Sequence, residues 1–284
     1  MAVTGWLALL LATPILIATS LIGGVVPTVM KASHLRLQLA LSFVSGLMLG
    51  VALLHLLPDA VEKLGSVERG TSLALLGVIT VFLLMRFMHV HGGGPELDPH
   101  ADCGHAHEPG NAGGPIRWLT LLAGLSLHSM VDGAALASAI RLESGAVWPG
   151  IVVLIVVAMH KPLDSMAIVT IVEDHAQRRR TVNLVYALVA PASAWAAYLG
   201  IASAGDAGQV VAGVAMAYCA GAFLCVALAD LMPEVQFHTH HRMVLTLALA
   251  LGVGVSVLLG LVEGLGESGS GHHHVPGQST HRNP

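Results

Sequence analysis

Charge is scarce in this chain. Only 11% of its 284 residues are Asp, Glu, Lys or Arg, against roughly a quarter in a soluble domain. That excludes an ordinary water-facing globule, and a mean hydropathy of +0.75 points to lipid instead. No basic stretch is interleaved with aromatics and the net charge is −4, which argues against a nucleic-acid partner. The three cysteines, Cys103, Cys219 and Cys225, have no zinc-ribbon spacing, and two lie in apolar runs. No disulfide framework is legible there. The N-terminus lacks a basic start and runs apolar to Val26, so it reads as a first spanning helix rather than a cleaved signal.

What is present is a series of long apolar runs. A helix needs about 20 mostly apolar residues to cross a bilayer. Eight runs qualify, at roughly 5–27, 38–60, 70–90, 115–140, 148–172, 182–203, 209–232 and 243–264. They are too long for barrel strands and lack strict alternation, so the fold class is an all-α polytopic membrane protein. Residues 1–264 form one eight-helix domain, interrupted by a His-bearing segment at 89–114, and 265–284 form a flexible His-containing tail. One set of connections holds Lys31, Arg36, Arg86, Arg117, Arg178, Arg179, Arg180 and Arg242; the other holds Lys63, Arg69, Arg141 and Arg282. The positive-inside rule puts the richer set in the cytoplasm and both termini on the other side.

The chain also repeats itself. G-L-M-L-G-V-A-L-L-H-L-L-P-D (46–59) matches G-A-F-L-C-V-A-L-A-D-L-M-P-E (221–234) at a constant offset of 175. His55 is answered by Asp230, and Asp59 by Glu234. Five crossings separate the copies, so they run in opposite directions. Spans 1–3 and 6–8 thus read as inverted repeats around central spans 4 and 5, the logic of secondary transporters with a midplane binding site. His55 and Asp59 then fall at the outer end of span 2, a plausible ion entrance, and Asp230 and Glu234 at the inner end of span 7, a plausible exit.

Span 4 contains H-S-M-V-D-G and span 5 contains H-K-P-L-D-S. Each is His-x-x-x-Asp, which puts both side chains on one helical face. Two such faces turned together bring His128, Asp132, His160 and Asp164 to one point. Imidazole with carboxylate suits Zn²⁺ and other borderline dications, and two anions offset the dication's cost in lipid. A self-satisfied His–Asp bond explains one such pair about as well; two copies on consecutive spans favour a metal. Pro162 frees the Ala158 carbonyl and bends span 5.

These residues carry a family resemblance. H-S-M-V-D-G-A-A-L-A-S-A resembles the fourth-span signature of the ZIP family of divalent-metal transporters, usually H-N-F-x-D/E-G-x-A, and H-K-P-L-D stands where that family has its fifth-span motif. The 46–59 and 221–234 stretches resemble its second and seventh spans. The resemblance implies an importer of Zn²⁺ (with Cd²⁺, Fe²⁺ and Mn²⁺ as other cargoes) toward the cytosol. It also implies elevator-type motion of one bundle against another, and a homodimer. His128, Asp132, His160 and Asp164 fall on primary-site ligands. Ser129 and Lys161 depart from the family pattern at positions that often complete a second metal site. A protonated lysine cannot ligate and repels a second dication, so Lys161 is expected to take that site's place and leave one transported ion.

His89, His91, His100, His105 and His107, with Cys103, are expected to bind metal weakly. Span 6 offers no acid and so no ligand, with Ser193 at best a weak contact. Met130, Met166 and Met216 read as packing. A prokaryotic inner membrane fits the compact links. An intramembrane metal-dependent hydrolase and a metal exporter are the alternatives; the first lacks His-Glu-x-x-His or a poised extra acid.

Overall fold

The computed structural model describes residues 4–29, 34–92, 115–172, 176–231 and 242–268. Among them every element is a helix, because in hydrocarbon each backbone N–H and C=O must find its partner within its own segment. The chain runs α1 (Gly5–Val29), α2 (His34–Val51), a π-helical turn (Ala52–Leu56) and α3 (Leu57–Leu64), then α4 (Val67–Gly92), α5 (Pro115–Leu142) and α6 (Ile151–Ile171). It continues through α7 (Ala176–Ser203), a short 3-10 turn (Gly205–Ala207), α8 (Gly208–Cys225), a second π-helical turn (Val226–Leu231) and α9 (Arg242–Ser268). Among the described residues, eight stretches are long and apolar enough to cross a membrane. They coincide with the eight runs, with α2 and α3 forming span 2.

Several ends differ from expectation. Span 2 begins at His34, span 6 at Ala176, and α4 continues to Gly92. His89 and His91 therefore lie in the last turns of a helix and not in a loop. His100, Cys103, His105, His107 and Glu234 lie outside the described residues.

Both π turns have one cause. The Leu57 N–H reaches back five residues to the Ala52 carbonyl. Pro58, next in sequence, has no N–H and crowds the carbonyl four residues earlier, and a π turn absorbs that mismatch. Pro233 stands two residues beyond the second π turn just as Pro58 stands two beyond the first. Gly65 then stops α3 at φ 64°, its N–H capping the Val61 carbonyl.

Helix pairing carries the repeat into three dimensions. α2 packs along α9 and α4 along α8, while α1 packs along α6 and α5 along α7. Exchanging spans 1–3 with 6–8, and 4 with 5, turns each pairing into its mate. The seams match residue by residue. A Cβ on Gly46 would collide with the Leu249 carbonyl, and one on Gly221 with the Ala74 carbonyl. Likewise Gly252 lies on Phe43 and Gly77 on Tyr218. Every residue in one seam is its counterpart in the other shifted by 175. Only glycine admits such close backbone approach.

The buried core lies where α5 and α6 meet α2 and α8, built from side chains such as Met48, Val51, Leu136, Val156, Met216 and Phe223. The outward faces carry Trp6, Ile22, Leu75, Leu247, Leu251 and Leu258, as lipid contact requires.

Candidate metal centre

His128 sits halfway along α5 and His160 halfway along α6. The i, i+4 spacing stacks each histidine on its own aspartate, and the two faces meet. One ligand atom from each of His128, Asp132, His160 and Asp164 lies within 4.8 Å of the other three. His128 Nε2 is 3.7 Å from Asp132 Oδ1 and 4.0 Å from Asp164 Oδ2. His160 Nε2 is 3.2 Å from Asp132 Oδ2 and 4.0 Å from Asp164 Oδ2. Zinc bonds of about 2.0–2.1 Å in a tetrahedron put neighbouring ligand atoms roughly 3.3 Å apart. With ligand atoms up to 4.8 Å apart the cage is as much as about 1.5 Å wider than that, so binding draws the side chains inward.

The donor atoms are aimed as ligands. His160 Nδ1 lies 2.9 Å from the Val156 carbonyl; a carbonyl only accepts, so Nδ1 carries a proton and Nε2 points its ring edge into the cage. Anchoring the outer nitrogen in this way fixes a metal-binding imidazole. Both nitrogens of His128 and Oδ1 of Asp132 are buried with no hydrogen-bond partner. Leaving a buried polar atom unpaired costs about 1–3 kcal/mol. A cation between His128 Nε2 and Asp132 Oδ1 removes that cost, so the residues present fit a dication.

Lys161 follows His160 directly on α6. It is 1% exposed, and its Nζ lies 2.7 Å from Asp132 Oδ2 and 3.8 Å from Asp164 Oδ2. It also donates to Ser129 Oγ at 2.8 Å and to the Tyr186 hydroxyl at 3.2 Å. Tyr186, on α7, in turn donates to Asp164 Oδ2 at 2.9 Å. The ammonium thus sits beside the cage, held by residues of three helices.

A cavity of about 570 Å³ reaches the cage, lined by His128, His160 and Asp164 at its inner end and otherwise by apolar side chains such as Met85, Leu121 and Leu125. It opens between the second half of α4 and the first half of α5. A second cavity of about 960 Å³ lies at the other end of the helices and is lined by His55, Asp59, Glu62, Lys63, Glu143 and Trp148. It touches none of the four cage residues.

A family model described as "ZIP Zinc transporter" matches residues 6–113 and 96–260. The chain belongs to the ZIP family. "Zinc transporter ZIP9-A" of Xenopus laevis is 27% identical over 257 residues, 77% of this chain and 82% of that protein. "Zinc transporter ZIP9" of Micropogonias undulatus is 25% identical over 251 residues, 75% of this chain and 80% of that protein. Transport and not catalysis is what these ZIP relatives are named for.

Against this ZIP fold the other expected site residues fall as follows. His55, in the first π turn, has Nε2 2.9 Å from the Ser256 carbonyl and packs against Gly260. It lines the second cavity together with Asp59, away from the cage. Asp230 falls in the second π turn. The Ser193 hydroxyl donates to the Met130 carbonyl at 2.6 Å and joins α7 to α5. Met216 is fully buried in the core. Span 6 places Tyr186 beside the cage, which sequence reasoning missed. The available signal was a phenol in the apolar middle of span 6, whose polar tip needs a buried partner; Tyr198 is the other phenol of that span.

Proposed function

We propose that this protein carries Zn²⁺ toward the cytoplasm, one ion per passage, by moving the His128–Asp132–His160–Asp164 cage between two sides of the membrane. The carrying observation is the grouping of helices. All four ligands, with Ser129, Lys161 and Tyr186, come from α5, α6 and α7, which pack with α1; α2, α3, α4, α8 and α9 pack with one another. A cage held wholly by one bundle can travel with it, which is what an elevator requires. The contact face between bundles supports sliding, since it is rich in small and flexible side chains such as Ala135, Ala139, Met216 and Ala220.

Direction rests on the eight-to-four distribution of basic residues, which sets the α4–α5 end in the cytoplasm. The cavity at the cage then opens inward, and His55 and Asp59 line an outer vestibule that does not reach the cage. Zn²⁺ is favoured over Cd²⁺, Fe²⁺ and Mn²⁺ by two imidazoles with two carboxylates. Lys161 takes the place of a second ion: a dication about 4 Å from its ammonium meets a repulsion of about 8 kcal/mol at an effective dielectric constant of about 20. The compact links between spans suit a prokaryotic inner membrane. The relatives named above are vertebrate proteins and carry no argument for that membrane. A homodimer and weak metal binding by the His89–His107 segment complete the reading.

The test is uptake into proteoliposomes with Zn²⁺ outside, together with metal counting on the purified chain. Asp132→Ala is expected to abolish uptake while the protein stays folded, and the unaltered chain to hold one tightly bound ion per protomer. Undiminished uptake by the variant sinks the cage as the transport site. Two tightly bound ions sink the role given to Lys161.

A further inference from the structure

We propose that Lys161 and Tyr186 limit the cage to four metal bonds, holding each carboxylate to a single bond and so selecting Zn²⁺ over ions that take six. The proposal rests on the transport reading above and names what makes that site selective.

An ammonium has three N–H donors. Lys161 finds three acceptors for them: Asp132 Oδ2, Ser129 Oγ and Tyr186 Oη, at 2.7, 2.8 and 3.2 Å. The side chain is 1% exposed, so these protein groups stand in for its water. Tyr186 passes its own proton on to Asp164 Oδ2 at 2.9 Å. One continuous chain of bonds therefore ties down one oxygen of each acid.

The consequences for the two acids follow from lone pairs. On Asp132, Oδ2 meets both the ammonium at 2.7 Å and His160 Nε2 at 3.2 Å, while Oδ1 is buried, unpartnered and 3.7 Å from His128 Nε2. Oδ1 is the oxygen left to bind. For Asp132 to grip an ion with both oxygens, Oδ2 must release a buried ammonium, which leaves that charge one bond short in low dielectric. On Asp164, the phenol fills one lone pair of Oδ2 and leaves the other facing the two imidazoles, each 4.0 Å away. Two single-bonded carboxylates and two Nε2 atoms make four ligands, the number Zn²⁺ prefers. Mn²⁺ seeks six ligands, mostly oxygen; beyond water from the cavity at the cage, these side chains supply extra oxygens only if the carboxylates chelate.

Two side-chain changes separate this from a purely structural role. Tyr186→Phe deletes one hydroxyl and keeps the ring; Lys161→Met keeps the length and deletes the charge. The full chain and both variants are loaded with Co²⁺ in lipid nanodiscs, where a four-coordinate ion absorbs visible light far more strongly than a six-coordinate one. Uptake of Zn²⁺ and Mn²⁺ is then compared in proteoliposomes. The unaltered chain is expected to give the strong bands. The variants are expected to give weak ones, with the Zn²⁺-to-Mn²⁺ uptake ratio falling roughly tenfold, the scale of one charge-assisted hydrogen bond. Strong bands and an unchanged ratio in Tyr186→Phe overturn the proposal even if Lys161→Met does not fold. An unaltered chain that binds neither Co²⁺ nor Zn²⁺ overturns the cage itself, a separate failure visible before any variant is made.

Discussion

His128 is the residue whose removal is most informative. Its two ring nitrogens are buried and have no hydrogen-bond partner, so truncating it breaks no such bond within the protein. His128→Ala is expected to weaken Zn²⁺ binding by more than about a hundredfold, since even an outer partner of a ligand is worth about 10–100-fold. Its cost to the metal-free fold is only that of the ring's packing. Calorimetric titration beside thermal unfolding in detergent checks both halves. His160 makes the contrast, because its Nδ1 also supports the Val156 carbonyl. All four proposed ligands were legible in the sequence, since four-residue spacing on a helix fixes a shared face whatever surrounds it. Tyr186 was not. Its role depends on α7 crossing beside α5 and α6, and local spacing carries no record of that meeting.

The helical elements were legible in number but not in detail. Hydropathy sees only the part of a helix that lipid covers, so the polar starts of α2 at His34 and of α7 at Ala176 escaped it. The π turns escaped it too, because a proline in a spanning segment announces a disturbance without saying whether the helix bends, breaks or widens. The repeat was fully legible, and its three-dimensional counterpart makes a paired prediction. Gly46→Val and Gly221→Val each push a side chain into a facing backbone, at Leu249 and Ala74 respectively. Each is expected to destabilise by about 1–3 kcal/mol, the usual cost of overpacking, and by similar amounts because the contacts are symmetry mates. Thermal unfolding of the two variants side by side checks it; a large effect in one and none in the other contradicts the equivalence of the halves.

At the scale of the whole molecule, the two bundles touch where α5 lies along α8. There the Cys219 thiol lies 3.5 Å from the Val131 carbonyl, one group on each bundle. A second thiol introduced as Val131→Cys, on the residue whose backbone meets Cys219, offers a cross-link between the bundles. Oxidation is expected to halt Zn²⁺ uptake, and reduction to restore it, while binding to the purified protein persists. Uptake that continues after complete cross-linking shows that these helices need not part. None of this division into bundles was visible in the sequence, because most faces of the spans are apolar and hydropathy does not say which neighbour a face will choose.

The glycine seams bear on that motion. Where Gly46 and Gly252 bring α2 against α9, and Gly77 and Gly221 bring α4 against α8, main chain rests on main chain with no side chain between to change rotamer. Such a contact has almost no soft mode, so each pair acts as one stiff double rod. On the elevator reading proposed above, that stiffness makes the frame a rail whose gauge stays constant while its passenger travels.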